Sequence, residues 1–437
     1  MNLTVIDSIM GSGKTTWMLN RIKTQHEREM AAAFQTNGQQ IGRKYIYITP
    51  TLDEVDRVTA ECSNLDFRNP EPIEGRKLFH LDSLIAGGHN ICTTHSLFRL
   101  LTQETYKRLK DAGYTLVIDE VLNCVDLYTN LSGVDQAHLF QTGMVKVDSV
   151  TKKLKWNEVD FGDYRGRFED IQALCRNGNL VRFKEKMLIW EFPIDFLKCF
   201  DHVFILTYLF HGSAMASYLA SDRVVPSMMA VQDGQLMDWD QVDEAAIKAK
   251  LRKLISIYEG PMNKVGDQTG KEHPLSSSWY DRASPETLSG LQVSTGNYFK
   301  RVAGTASRFN AWTTFKKVKP QLSGKPYSKG FLPNNLRATN DHIDKTSMAY
   351  LCNTFYHPII RGYFTDRQIE VYEDLFTLSE MLQWLWRGQI RRGDPIQVFI
   401  PSSRMRALLK MWLESDTTDE LFRKAGYGGI PQTSNQG

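Results

Sequence analysis

No stretch of the 437 residues stays apolar for the roughly 18 positions a membrane-spanning helix needs. The chain begins directly on the apolar run Leu3-Thr4-Val5-Ile6, so no secretory leader is expected ahead of it. The six cysteines, Cys62, Cys92, Cys124, Cys175, Cys199 and Cys352, form no CxxC pair, which excludes a zinc-ribbon pattern and a disulfide framework and suits a reducing, cytoplasmic setting. Charge of one sign is not in excess either. With 53 Lys and Arg against 50 Asp and Glu, a net charge of +3 announces no nucleic-acid partner, and any such footprint must be local. No internal repeat is visible. What remains is a globular composition, 42% hydrophobic and 24% charged, in a chain long enough for two or three cores.

Against that background one segment carries chemistry. Ser8-Ile9-Met10-Gly11-Ser12-Gly13-Lys14-Thr15-Thr16 follows the first apolar strand and precedes a helical pattern running to about Arg28. Strand, glycine-containing turn and helix in that order make a phosphate-binding loop. Glycine lets backbone N–H groups close around phosphate oxygens, and the helix start points its positive dipole end at them. Gly11, Ser12, Gly13 and Thr16 are expected to cradle the phosphates, Lys14 to reach the β- and γ-phosphates, and Thr15 to offer its hydroxyl to Mg²⁺. Ser8 stands where the GxxxxGK[ST] pattern has its first glycine.

The second segment is Leu116-Val117-Ile118-Asp119-Glu120, an apolar strand ending in two adjacent carboxylates. Hydrolysis of a nucleoside triphosphate calls for both: Asp119 to hold Mg²⁺ opposite Thr15, and Glu120 to orient and deprotonate the attacking water. The pair favours an NTPase over a kinase, which must keep that water out. A third segment lies near the C-terminus. Gln383, Arg387 and Arg391 are four apart, so one helical face could send all three into a single cleft, where two guanidiniums would stabilise charge on a γ-phosphate.

Apolar and polar periodicity gives an α/β chain with parallel sheets. Strands are expected at residues 3–7, 44–48, 89–93, 114–118 and 203–207, with an apolar-faced helix carrying Leu97, Leu100 and Leu101. Residues 126 to about 198 break the rhythm with two lysine-bearing hairpins, 144–147 with 154–156 and 180–183 with 187–190, around a helix near 168–175, and read as an insertion. Ser221 to Ser227 reads as a linker, Asp240 as the cap of a helix carrying Ile247, Leu251 and Leu254, and residues 261–290 as a long polar loop. Strands resume at 311–315, 348–351 and 396–400, and Ser402 or Ser403 caps a helix through Leu408, Leu409 and Trp412. The expected division is 1–224 for a first domain carrying the insertion, 225–426 for a second, and 427–437 for a flexible tail.

Taken in order, these segments resemble the motifs of the superfamily 2 helicases. Ser8 to Thr15 matches motif I with Ser for Ala, and Thr49-Pro50-Thr51 looks like motif Ia. Thr93-Thr94-His95-Ser96 is similar to the next backbone-contacting motif, and Asp119-Glu120-Val121-Leu122 to motif II. Leu206-Thr207-Tyr208 stands at motif III, Arg337-Ala338-Thr339-Asn340-Asp341 at motif V, and Gln383 to Arg391 at motif VI. The resemblance spans most of the chain and is strongest toward compact bacteriophage helicases. It implies two RecA-like parallel-sheet domains of the P-loop NTPase class, with ATP and Mg²⁺ between them and single-stranded or forked DNA as partner, RNA not being excluded. The implied nucleic-acid contacts include Pro50, Thr51, Thr94, His95 and Thr339. A monomer in the host cytoplasm would suffice.

The departures are specific. Trp386 replaces the usual glycine of motif VI and shifts the second arginine by one, so Arg391 and Arg392 both qualify as the finger. Motif II ends in Leu122, and motif III reads Leu-Thr-Tyr. No adenine-reading segment is expected ahead of motif I, so no base preference is expected from these residues. Lys316, Lys317, Lys319, Lys325 and Lys329, interleaved with Trp312, Phe315 and Tyr327, offer cations and stacking faces to a single strand. Trp279 is a wedge or a core anchor. Rival readings are a packaging-motor ATPase, an ATP-switched nucleic-acid binding or annealing protein, and, more weakly, a small-molecule kinase.

Overall fold

The computed structural model describes residues 1–35, 42–73, 76–267, 273–334 and 342–428. Two parallel sheets carry it. In the first half, β1 (Asn2–Asp7), β2 (Lys44–Thr49), β3 (Ile91–Thr94) and β4 (Tyr114–Asp119) are followed by the insertion strands β5 (Val125–Leu127), β6 (Val145–Val147), β7 (Leu154–Trp156), β8 (Leu180–Phe183) and β9 (Met187–Glu191). Then come β10 (His202–Thr207), β11 (Ser227–Gln232) and β12 (Gln235–Asp238). The large sheet runs β12-β11-β1-β10-β4-β2-β3 and is parallel except for β12. Successive side chains of a strand point to opposite faces, and because both faces are covered they enter two different cores. Tyr45 and Tyr47 of β2 join the core under the helices Lys14–Gln35 and Leu52–Glu61, while Ile46 and Ile48 join the opposite core.

The insertion forms as its residues suggest. β6 pairs with β7 and β8 with β9, both antiparallel, and β5 adds a third strand beside β9. Leu139, Trp156, Phe168 and Ile171 close a small core of their own.

A second sheet contains β13 (Ile255–Ile257), β14 (Asn310–Thr313), β15 (Ser347–Tyr350) and β16 (Ile396–Phe399), in the order β13-β16-β15-β14 and all parallel. Helices Glu373–Leu385 and Ser403–Leu413, the latter capped by Ser402, cover one face. Helices Ser277–Arg282 and Pro285–Asn297 cover the other.

Several expectations are corrected. The residues from Ser227 to Asp238 still belong to the first sheet, so the change of sheet falls after 238 and not at 225. The described part of residues 261–290 is not one loop: it holds a 3₁₀ turn at Pro261–Asn263, the helix Ser277–Arg282 and the start of the helix Pro285–Asn297. The serines that read as loop are helix caps: Ser276 accepts from Trp279 N and Ser284 from Thr287 N, with Pro285 at the first helical position. Asp240 caps nothing, since it sits in a 3₁₀ turn and Glu244 precedes helix Ala245–Leu254. The helix after β3 stops at Phe98, leaving Leu100 64% exposed. Tyr427, assigned to the tail, packs on Tyr372 and Phe422, while residues 429–437 lie outside the described ones. No helix among the described residues is long and apolar enough to cross a membrane, and all six cysteines are free thiols.

Candidate nucleotide site

Ligand sites on parallel sheets lie beyond the carboxyl ends of the strands. Here β1 ends in the loop Ser8 to Gly13 and β4 ends in Asp119, with β10 between them. Gly11 and Gly13 both adopt φ +83°, a left-handed conformation that side chains resist, and a Cβ on Gly13 would meet nothing within 4 Å. Both glycines are therefore required by backbone conformation, and the face of Gly13 is open. Ser12 Oγ is buried with no hydrogen-bond partner among the described residues.

Ser8 explains its own departure from the glycine pattern. Its hydroxyl accepts the N–H of Val231 in β11 at 2.7 Å, tying the loop to the neighbouring strand. Asp7, one residue earlier and 3% exposed, accepts from Phe210 N at 3.1 Å, and burial pushes its carboxyl up to about 7.

Lys14 donates to Ser8 O at 3.2 Å. Burial lowers its pKa against the pull of Asp119, Glu120 and Asp7, and the charge of Arg391 lowers it further. Thr15 Oγ1 donates to Asp119 Oδ2 at 3.2 Å. Tyr47 OH donates to the same oxygen at 3.1 Å. Burial and the adjacent Glu120 push the Asp119 carboxyl up to about 6, with Lys14 and Tyr47 opposing. Glu120 holds φ +63°, a conformation that costs a non-glycine residue of order 1–3 kcal/mol and recurs at catalytic turns. Its N–H is fixed to Leu206 O at 2.9 Å.

The second sheet closes the site. A cavity of about 360 Å³ is walled by Met10, Gly11, Gly13, Lys14, Thr15, Thr16, Arg57, Asp119 and Glu120 from one side and by Gln383, Trp386, Arg387 and Arg391 from the other. The convergence expected of the three polar residues is present, by a different route. Helix Glu373–Leu385 ends with Trp386 as its cap, and Arg391 lies on a separate 3₁₀ turn, Gln389–Arg392. A single helical face therefore does not carry them. Arg387 is buried and donates to Pro333 O at 3.2 Å, and of the two candidate fingers Arg391, not Arg392, lines the cavity.

Sequence reasoning missed Arg57, held by Glu54 at 2.6 Å and Glu61 at 2.9 Å, and Trp386, which packs edge-on against Trp412. The signal for Arg57 was its i±3 and i±4 acidic partners on a helix following the Thr-Pro-Thr turn. Tyr208, at the motif III position, links the two halves through its hydroxyl. Trp412 Nε1 donates to its hydroxyl at 2.7 Å, and the hydroxyl donates to Glu244 at 3.0 Å, which pairs with the fully buried Lys248 at 2.8 Å. This buried network runs from the first sheet into the second.

The proposed nucleic-acid residues are scattered over the strand ends. Thr51 caps helix Leu52–Glu61 beside the partly exposed Pro50. Thr94 Oγ1 bonds Ser96, and the ring of His95 lies 2.9 Å from Asp119 O, so it faces the carboxylate strand. Lys316 is exposed, Lys317 is paired with Asp281 at 2.6 Å and Lys319 lies over Phe331. Trp312 and Tyr327 are fully buried, and Trp279 is 6% exposed, so these rings are core and offer no stacking face. Arg337 to Asp341, including Thr339, lie outside the described residues.

Two family models match the chain: the YonV middle domain over residues 126–190 and the YonV C-terminal Rossmann-like domain over residues 249–413. The SPbeta prophage-derived protein YonV of Bacillus subtilis (strain 168) is 37% identical over 424 residues, covering 94% of this chain and 98% of its own. The chain belongs to the YonV family. The YonV middle domain coincides with the insertion between β4 and β10, and the YonV C-terminal domain with the second sheet. Among solved structures, an apo form of XPD is similar over 94% of this chain and 95% of its own, with a TM-score of 0.46 and 12% identity. Xpd4 of S. tokodaii is similar over 98% and 94%, with a TM-score of 0.41 and 10% identity.

Proposed function

We propose that this YonV-family chain is a nucleic-acid-dependent ATPase that works as a helicase or translocase, built from two RecA-like lobes. The observation that carries the reading is the shared cavity: a phosphate loop and an Asp-Glu pair on one sheet face two arginines and a glutamine anchored on the other. Lys14 and the N–H groups of Gly11 to Thr15 bind the phosphates, and Glu120 orients the attacking water and takes its proton. Arg387 and Arg391 stabilise charge as the γ-phosphoryl leaves. Thr15 and Asp119 are the residues that would hold Mg²⁺, which supplies charge neutralisation on the phosphates when bound.

Because the two walls belong to different sheets, a triphosphate favours their approach and a diphosphate does so less. A strand gripped at the ends of β2 and β3 by Pro50, Thr51, Thr94 and His95, and after β14 by Lys316, would be held differently in the two states. The prophage origin of the relative supports DNA, single-stranded or forked, in phage replication or recombination within the host cytoplasm. Lys184 and Lys186 on the β8–β9 hairpin and the exposed Lys146 add phosphate-binding groups on the insertion.

The test is ATP turnover with and without single-stranded DNA, alongside strand displacement. DNA should stimulate turnover. Lys14→Ala should abolish it, and Arg387→Ala should lower it on the order of 10³-fold. Turnover indifferent to nucleic acid would overturn the motor, and full activity in Arg387→Ala would remove the second lobe from the chemistry. Stimulated turnover without displacement would turn the reading toward an ATP-switched binder.

A further inference from the structure

Tyr47 sits in the middle of β2, in the core beneath the phosphate-loop helix, where Phe would fill the same space. Its side chain is fully buried among Met18, Val55 and Val117. Burying a phenolic hydroxyl is unfavourable unless it finds a partner, so its presence calls for a reason. The partner is Asp119 Oδ2, 3.1 Å away, the same oxygen that lies 3.2 Å from Thr15 Oγ1. Tyr45, two residues earlier in the same strand and facing the same core, makes no contact with Asp119 among the described residues; its backbone N–H goes to Asn90.

We propose that Tyr47 is a positioning residue for the carboxylate that holds the divalent cation: its hydroxyl donates to Asp119 and fixes the orientation of the carboxylate beside Thr15. This rests on the nucleotide reading above. Asp119 is buried, and a buried carboxylate oxygen needs a donor to hold its orientation. Tyr47 supplies such a donor from a strand that never touches the nucleotide cavity. Partners one step behind a metal ligand commonly alter metal affinity 10- to 100-fold when removed. A purely structural tyrosine would instead change stability and leave cation binding alone.

The experiment titrates Mn²⁺, read by electron paramagnetic resonance, into the full chain saturated with ADP. Tyr47→Phe should weaken Mn²⁺ binding about tenfold, with ADP affinity in the absence of metal unchanged. Tyr45→Phe should bind Mn²⁺ as the wild type does, and Asp119→Asn should lose binding. The ring is retained in Tyr47→Phe, and thermal melts verify the fold of each variant. Equal Mn²⁺ affinity in Tyr47→Phe and wild type, with Asp119→Asn defective, overturns the positioning role while the nucleotide reading survives. Wild-type protein that binds Mn²⁺ no better than free ADP does overturns both.

Discussion

Asp7 shows how a buried acid beside the phosphate loop writes itself into stability. Its carboxyl, ordinarily near 3.8, is pushed up to about 7 chiefly by burial, with Glu244 adding repulsion and Phe210 N–H opposing. Between those two values the folded chain keeps a proton that the unfolded chain has released. Stability therefore falls as pH rises from about 4 to 7, by on the order of 4 kcal/mol for this group, and the loss persists above pH 7. Asp7→Asn keeps an acceptor for Phe210 N–H and removes the charge. Its melting temperature should exceed the wild type's at pH 8 and match it at pH 4. A gap that is constant across that range would show that desolvation of the carboxylate is not the cause. Ser8 is the complementary case. A glycine there would satisfy the sequence pattern but lose the 2.7 Å bond to Val231 N, so the departure from the pattern is itself a packing solution.

Helix Pro358–Thr365 leaves the second sheet after β15 and crosses to the first half of the molecule. Tyr356, Ile360, Tyr363 and Phe364 join the core that contains Val5, Ile205 and Tyr218, and the helix packs against β5 and helix Ala214–Ser221. Tyr363 OH donates to Glu191 of β9, and its ring meets Phe183 of β8 edge-on at 5.4 Å. The insertion thus grips a helix that the second half supplies. Tyr363→Phe leaves the Glu191 carboxylate without that donor, a loss of about 1.5–3 kcal/mol for a charged hydrogen bond. Hydrogen exchange should rise in residues 126–190 and 358–365 together, while β1 and β4 stay protected. A rise confined to 358–365 would mean that the insertion does not depend on this grip. None of this strap was legible beforehand, because its partners lie some 170 residues away and amphipathicity does not name a partner. The strands around the phosphate loop were legible because each is a short apolar run closed by a turn signal or a carboxylate. Gln383, Arg387 and Arg391 line one cavity, though not along the continuous helix their spacing predicts, because the turn at Trp386 and Gly388 redirects the chain toward it. Trp312 and Tyr327 were misread because lysines beside aromatics look alike whether the rings face a ligand or a core.

The two sheets are not independent bodies joined by a tether. Ile9, Tyr208 and Leu209 from the first half share one buried cluster with Leu382, Trp386 and Trp412 from the second. The Trp412–Tyr208–Glu244–Lys248 chain of hydrogen bonds crosses the same boundary, ending on Ser415 O at 2.8 Å from Lys248. A buried ion pair adds little by itself, but removing one member of such a network strands the others. Opening the halves would expose that cluster and take Tyr208 away from Glu244 and Trp412, so the separated lobes should have no wide range of independent stability. Urea unfolding followed by far-ultraviolet circular dichroism and by tryptophan fluorescence should give coincident curves. Tyr208→Phe, which removes the donor to Glu244 and the acceptor for Trp412 while keeping the ring, should shift both curves to lower urea together, by about 1–3 kcal/mol. Two separated transitions in the wild type would show that the halves unfold alone. In that case the shared cluster would have to be a contact that forms only when the cleft is shut, and a nucleotide would then draw the two curves together by binding across it.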